Sequence, residues 1–296
     1  MPSVSVIIVT WNCEKVIGPC LGALASDPEV LEVVVVDNAS RDATTEIVER
    51  DFPHVRVIRN AGNDGFGRAC NQAARTCQGE YLFLLNPDTI VTPDLVSRLA
   101  RALTLDRSLA LVGPVVTDPN GQVRLAGQRF LTLGGILWSR VIPIRRIVPV
   151  RVPRGTAIVD WVTGAAMMAR REVYLSAGGF NEVFWMYNED MELCWRLGKA
   201  GWRVAVIPEA RVAHLHSEST KRNLESAHLS DAHGVRVWLD LTGRRSIWPL
   251  ARCVLAVAAL VQGCRAVLGR PRRFSDAKTY LRISARILNL RGYQLQ

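Results

Sequence analysis

Short apolar runs alternate with amphipathic stretches along the first part of the chain. Ser3–Thr10, Glu32–Val36, Val55–Arg59, Tyr81–Leu85 and Leu109–Val116 are rich in branched and aromatic residues, the pattern of strands buried on both faces. Between them, Glu14–Ala25 carries Val16, Ile17, Leu21 and Leu24 at helical spacing, and Thr44–Arg50 and Arg68–Thr76 are shorter helical stretches. A further helix is expected from Thr92-Pro93-Asp94 to about Leu105, with proline in its first turn. Strands and helices in alternation predict an α/β fold with a doubly wound, mostly parallel sheet.

The early runs end on polar residues. Thr10-Trp11-Asn12 follows the first, Asp37-Asn38-Ala39-Ser40 the second, the Asn60–Gly67 loop the third, and Asn86-Pro87-Asp88 the fourth. Pro87 has no N–H for a ladder, so the fourth strand must stop before it. These residues therefore share the rim at the carboxyl ends of the strands, where open α/β sheets bind ligands. Asn86 and Asp88 can share a hard divalent cation, which can hold a diphosphate. Asp37 can accept hydrogen bonds from a nucleobase or ribose, or simply cap the next helix. Gly65 and Gly67 permit close approach of backbone to a ligand and lead into a helix N-terminus suited to phosphate, although Asn63-Asp64-Gly65 is also an ordinary turn sequence. Gly65-Phe66-Gly67 is no dinucleotide fingerprint, since Cys70 stands where the third glycine would be.

Beyond the turn at Asp118–Gly121 the periodicity weakens. Gly127–Gly155 holds Arg140, Arg145, Arg146, Arg151 and Arg154 among apolar residues and prolines, and is expected to be a long loop near the rim or a surface that a membrane touches. Val159–Ala169 then reads as a core strand and Arg171–Ala177 as a brief helix. An aromatic run, Phe184–Tyr187, leads into Asn188-Glu189-Asp190-Met191-Glu192, the densest acidic cluster, at the start of a helix to about Ala200. The helix dipole and an i,i+4 pair with Arg196 account for Glu192, but less well for Glu189 and Asp190. Trp202–Ile207 and Ala210–His216 are expected as two closing strands, with His214 and His216 on one side.

Charge divides the chain further. The net charge of +10 lies wholly from Arg236 onward, where twelve basic residues meet only Asp240 and Asp276. Any anionic partner should be sought on this tail. Leu224–Leu241 suits an amphipathic helix, and Trp248–Leu268 is strongly apolar. Its longest uncharged core, Cys253–Val261, is too short to span a bilayer. The segment is expected either to lie on an anionic membrane surface, with Arg270, Arg272 and Arg273 on lipid, or to pack as a core helix at a homodimer contact. Nucleic acid is not expected as a partner, because the charges are interleaved with aliphatic residues and almost no aromatics for base stacking. Seven cysteines without metal spacing are expected as reduced, buried thiols of a cytoplasmic protein. Val4–Val9 is short and has no basic leader, so no signal peptide is expected.

Taken in order, Val6–Asn12, Val35–Ser40, Asn63–Gly67 with Asn71, Leu84–Asp88, Thr163-Gly164, Gly178–Phe180, Glu189-Asp190 and His214 form a set that resembles the inverting family 2 glycosyltransferases of GT-A fold, especially their rhamnosyltransferase-like branch. The resemblance covers roughly residues 1–220, which it marks as a catalytic domain, and leaves 221–296 as a helical extension. It implies that Thr10, Asn12, Asp37, Asn63, Gly65, Asn71, Asn86, Trp161 and Gly164 line the donor pocket. It implies that Asp88 and His214 hold Mg²⁺ or Mn²⁺, and that Asp190, with Glu189 beside it, is the general base. Asn86 departs from the commoner aspartate and removes one charge from the metal motif. The donor implied first is dTDP-rhamnose, with UDP-sugars next, and the acceptor a polyprenyl-linked or other cell-envelope glycan at the inner face of the membrane. A nucleotidyltransferase would share the nucleotide and metal rim, but would have no need of Asp190.

Overall fold

The computed structural model describes residues 2–24, 27–130, 151–215, 224–268 and 274–290. Arg140, Arg145, Arg146, His216, Arg270, Arg272 and Arg273 lie outside the described residues. The described chain forms two compact units, one holding 2–130, 151–183 and 189–215, the other 184–188 and 224–290.

The first unit is built on a mixed sheet. Its strands are β1 (Val4–Thr10), β2 (Val30–Asp37), β3 (Arg56–Arg59), β4 (Tyr81–Leu85), β5 (Thr89–Val91), β6 (Leu109–Thr117), β7 (Val123–Leu125), β8 (Ala157–Val159), β9 (Ala166–Arg170) and β10 (Arg203–His214). The order is β3-β2-β1-β4-β9-β6-β10-β5, with β7 on β6 and β8 on β10. The expected parallel arrangement holds through β3, β2, β1 and β4, and again between β6 and β10. β9 enters between β4 and β6 antiparallel to both. β1 connects to β2 on one side while β4 pairs on its other side, so the direction of winding reverses beside β1. That reversal opens the crevice in which such sheets hold ligands.

Helices α1 (Ile17–Leu24), α2 (Thr44–Asp51), α3 (Phe66–Ala74), α4 (Leu95–Leu105), α5 (Arg171–Ser176) and α6 (Glu189–Lys199) cover both faces. The alternation of β4 shows the reason. Tyr81, Phe83 and Leu85 join the core with Leu21 of α1 and Leu99 of α4, whereas Leu82 and Leu84 join Ala73 of α3 and Leu193 of α6. All five β4 residues are therefore buried, which explains the unbroken apolar run.

Four local expectations change. The two closing strands are one, β10, which carries Pro208 across a register irregularity between Ile207 and Arg211, where its missing N–H is tolerated. The run Val159–Ala169 is not one strand, because the chain leaves the ladder at Thr163–Gly164 and re-enters as β9. α3 begins at Phe66 rather than Arg68. Of the seven cysteines, five are buried, but Cys253 and Cys264 are exposed, because both lie on the outer face of a tail helix.

The second unit consists of α7 (Leu224–Leu241), a short 3₁₀ turn, α8 (Trp248–Leu268) and α9 (Phe274–Leu288). Leu229, Val235 and Leu239 of α7, Leu255 and Ala259 of α8, and Ile283 and Ile287 of α9 share one core. Gly263 lets α8 approach α9 closely, since a Cβ there would lie 3.1 Å from Tyr280 Cβ. Segment 184–188 belongs to this unit: a Cβ at Gly234 of α7 would collide with the Tyr187 carbonyl at 2.9 Å.

Candidate active site

Two hydrogen-bond networks occupy the ends of the parallel strands. In the first, Asp37 is the hub. Its Oδ1 accepts from Thr10 Oγ1 at 2.8 Å and from Ser40 Oγ at 2.5 Å, and its Oδ2 accepts from the Ser40 N–H at 2.9 Å. Ser40 Oγ in turn accepts from the Asn12 N–H at 2.8 Å, and Asn12 Oδ1 accepts from the Arg41 N–H at 2.8 Å. Thr10 is fully buried, so within this network its hydroxyl orients Asp37. In the second network Asn38 Nδ2 donates to Asn63 Oδ1 (3.3 Å) and to the Gly65 carbonyl (3.2 Å), while Asn60 donates to Asn38 Oδ1 (2.8 Å). Gly65 has φ +85°, a conformation that favours glycine, and its N–H donates to Asn63 Oδ1 at 3.1 Å. Ser40, Asn38 and Asn60 were not singled out from sequence. Their signal was position alone, at the ends of apolar runs.

The Asn86-Pro87-Asp88 turn meets the end of β10. Strand β5, too short to be predicted, pairs antiparallel with β10 and sets Thr89 opposite His214. His214 Nε2 thereby lies 3.0 Å from Asp88 Oδ1 and 3.5 Å from Asn86 Nδ2. The Leu215 N–H donates to the Asp88 carbonyl at 2.9 Å, fixing the turn against the strand. Among the described residues no group of three or more His, Cys, Asp or Glu side chains is placed to hold a metal ion. A carboxylate and a side-chain amide, both able to offer hard oxygen, and a borderline imidazole nitrogen instead make a small donor set. It fits a cation such as Mg²⁺, which commonly takes one or two carboxylates and completes its shell with substrate phosphates and water. Asp88 Oδ1 and His214 Nε2, 3.0 Å apart, are a hydrogen-bonded pair, and a cation held there would take the place of the proton between them.

The acidic cluster reaches the same place through the backbone. The Asn86 N–H donates to the Ala165 carbonyl at 2.9 Å, so Ala165 lies against the Asn86-Pro87-Asp88 turn. One residue away, the Gly164 N–H donates to Asp190 Oδ2 at 2.8 Å, and Asp190 Oδ1 accepts from the Met191 N–H at 2.7 Å. Gly164 is closely packed, since a Cβ there would meet the Phe66 ring at 3.3 Å and the Asp190 side chain at 3.6 Å. Burial raises the Asp190 pKa above the ordinary carboxylate range, although the two N–H donors oppose the shift. Glu189 points elsewhere. It is 5 % exposed, its Oε2 has no hydrogen-bond partner, and its carboxyl is close enough to the buried Cys70 to disfavour the thiolate. Burial first, and then the neighbouring Asp190, push its pKa up to about 8. Glu189 is therefore held mostly neutral near pH 7, while the Asp190 carboxylate is held by the Gly164 and Met191 N–H groups.

Asn71 and Trp161 have other partners. Asn71 is buried, donates to the Phe180 carbonyl (2.9 Å) and Glu182 (3.1 Å), and accepts from the Tyr174 hydroxyl (2.7 Å) and the Phe180 N–H (2.9 Å). All four of its hydrogen-bonding positions are thus used within the protein. The Trp161 indole N–H donates to the Arg129 carbonyl at 3.0 Å. Glu192 and Arg196 form the expected pair at 2.7 Å, and Arg196 also donates to the Ala177 and Gly179 carbonyls, so they brace the Gly178–Phe180 turn.

Sheet order, reversal beside β1 and the strand-end rim are those of the GT-A class. A mannosyltransferase from Pyrobaculum calidifontis, solved with GDP-Man and Mn²⁺, shares the fold with TM-score 0.60 at 18% identity, over 97% of this chain and 87% of its own. The sequence model described as Glycosyl transferase family 2 matches residues 5–173, and the chain belongs to that family. The chain is similar to the N-acetylglucosaminyl-diphospho-decaprenol L-rhamnosyltransferase of Mycobacterium tuberculosis, 28% identical over 268 residues, covering 82% of this chain and 85% of the relative. It is also similar to the rhamnosyltransferase WbbL of Escherichia coli, 26% identical over 220 residues, covering 71% and 83% respectively.

Proposed function

We propose that the protein is a metal-assisted, inverting glycosyltransferase that moves rhamnose from dTDP-rhamnose to a lipid-linked glycan at the cytoplasmic face of a membrane. The observation that supports the reading is the pair of backbone hydrogen bonds from Asn86 to Ala165 and from Gly164 to Asp190, which join the turn that carries Asp88 to the segment that holds the Asp190 carboxylate. Both relatives are named as rhamnosyltransferases, and the name of one specifies a decaprenyl diphosphate acceptor, which supports the donor and the acceptor class.

Asp37, oriented by Thr10 and Ser40, is positioned to accept hydrogen bonds from the nucleoside. Asp88, His214 and Asn86 would hold Mg²⁺ or Mn²⁺, which neutralises charge on a departing diphosphate. Asp190 takes the proton of the acceptor hydroxyl as its oxygen bonds to the anomeric carbon. The bond from that carbon to the diphosphate oxygen breaks, and the nucleoside diphosphate leaves with the electron pair. One base on the face opposite the leaving group inverts the configuration. Keeping Glu189 neutral leaves a single charged carboxylate beside the acceptor.

The test is a donor panel of dTDP- and UDP-sugars with and without Mn²⁺, read by thermal shift and by product formation on a polyprenyl diphosphate acceptor. Asp190→Asn should lose transfer by 10²-fold or more while keeping the metal-dependent donor shift. Loss of both would make Asp190 structural, and a preference for UDP would redirect the donor.

A further inference from the structure

The second unit leaves one helix face unsatisfied. On α8, Leu250, Cys253, Val257, Leu260, Cys264 and Leu268 are all exposed. Their spacing of three and four residues puts them on one side of the helix. From Pro249 to Cys264 every exposed residue of α8 is apolar or cysteine, a stripe about 27 Å long from Leu250 to Leu268. The opposite side of α8, including Ala251, Leu255, Ala256 and Ala259, is already committed to the core shared with α7 and α9. Scattered exposed apolar residues are ordinary, but a continuous apolar stripe on a helix whose core contacts, among the described residues, lie on its other side is not.

Charge decides what covers it. From Arg236 onward the chain carries twelve basic and two acidic residues, and Arg244, Arg265, Lys278 and Arg282 are exposed on the same helical unit. A second copy docking through this stripe would bring two such basic surfaces together, whereas anionic lipid headgroups would be attracted to them. We infer that the outer face of α8 is a docking surface for an anionic lipid bilayer, with the stripe entering the headgroup–acyl boundary and the exposed basic residues of the same unit supplying attraction to lipid phosphates. The helix lies flat rather than spanning. Arg245–Leu268 passes as a span by length and composition. Crossing the bilayer would, however, strip its inner face from the three-helix core and pull Gly263 away from Tyr280. The choice of a lipid partner rests on the proposed membrane-side function, but the test reads binding without turnover, so its failure leaves the transferase assignment standing.

The chain supplies its own probe, because Cys253 and Cys264 are the exposed thiols and the other five are buried. The full chain, labelled with an environment-sensitive thiol dye, is mixed with vesicles of pure phosphatidylcholine or with added phosphatidylglycerol. The expected result is a blue shift and co-sedimentation with phosphatidylglycerol vesicles only, reversed by salt. Each basic residue removed among Arg244, Arg265 and Arg282 should weaken binding roughly fivefold at low salt. The double variant Val257→Glu, Leu260→Glu should lose binding at least tenfold while its circular dichroism is unchanged; should it not fold, the dye on the unaltered chain decides alone. The inference is overturned if neither dye nor sedimentation reports binding. It is also overturned if the double variant turns a dimer into a monomer without changing vesicle binding, or if membrane-bound protein resists extraction by high salt and alkaline carbonate.

Discussion

Replacing Glu189 by glutamine should stabilise the protein, and only above the ordinary carboxylate pKa. The Glu189 carboxyl is buried, its Oε2 lacks a partner, and its pKa rises from 4.5 to about 8 through burial first and the Asp190 charge second. Below 4.5 the folded and unfolded chains both hold the proton, and the group makes no difference between them. Above it, the unfolded chain releases the proton while the folded one keeps it, so stability falls as pH rises until the folded pKa is passed. At pH 7 the penalty is about 2.5 pH units at 1.36 kcal/mol each, roughly 3 kcal/mol. Glutamine has nearly the same shape and no proton to lose. Urea unfolding of Glu189→Gln and of the unaltered protein should therefore give equal stabilities near pH 4.5 and an advantage of roughly 3 kcal/mol for the variant near pH 7. An advantage that does not change with pH, or a variant less stable at pH 7, would refute the buried neutral carboxyl.

The raised pKa of Asp190 has a kinetic counterpart. Transfer should fall away on the acid side at a pH above the usual carboxylate range, and Glu189→Gln should leave that limb in place, because the Glu189 carboxyl is already neutral there, as a pH–rate profile will show. Asp88→Asn and His214→Ala should each raise the Mn²⁺ concentration needed for half-maximal donor binding at least tenfold, whereas Asn86→Asp should lower it, by titration of the thermal shift. Gly179→Ala should cost about 2 kcal/mol or more, because Gly179 has φ +69° and an added Cβ would lie 2.2 Å from Asn71 Oδ1; a change under 0.5 kcal/mol in urea would contradict the packing. Asn71→Ala should destabilise by roughly 2 kcal/mol, leaving the Tyr174 hydroxyl and the Phe180 N–H short of an acceptor, with little change in donor affinity.

The strands that frame the site were legible where they are buried on both faces and must be apolar. β4 shows this over its whole length and β2 from Val33 to Val36, and Pro87 marks where β4 ends. The polar strand ends were legible for the same reason, since a side chain at the end of such a run reaches the rim. β5 was not, because three residues are too few for a period, and it exists through pairing with β10. The grouping of Ser40 with Asp37 and of Asn60 with Asn38 was equally hidden, because it depends on the order in which strands neighbour one another.

The sequence by itself determined the alternation of strand and helix, the acidic and amide residues at the rim, and the basic, apolar character of the tail, because composition and spacing report burial directly. Tertiary structure decided the pairings. The antiparallel entry of β9 put Ala165 beside Asn86 and so linked Asp190, through Gly164, to the Asn86-Pro87-Asp88 turn across 104 residues of chain. Folding also gave the two adjacent acids opposite fates, Asp190 toward the backbone donor at Gly164 and Glu189 into the core. Neighbours in sequence point in different directions from a helix start, and only the packing around them settles which one is buried without a partner and which one is hydrogen-bonded to the backbone.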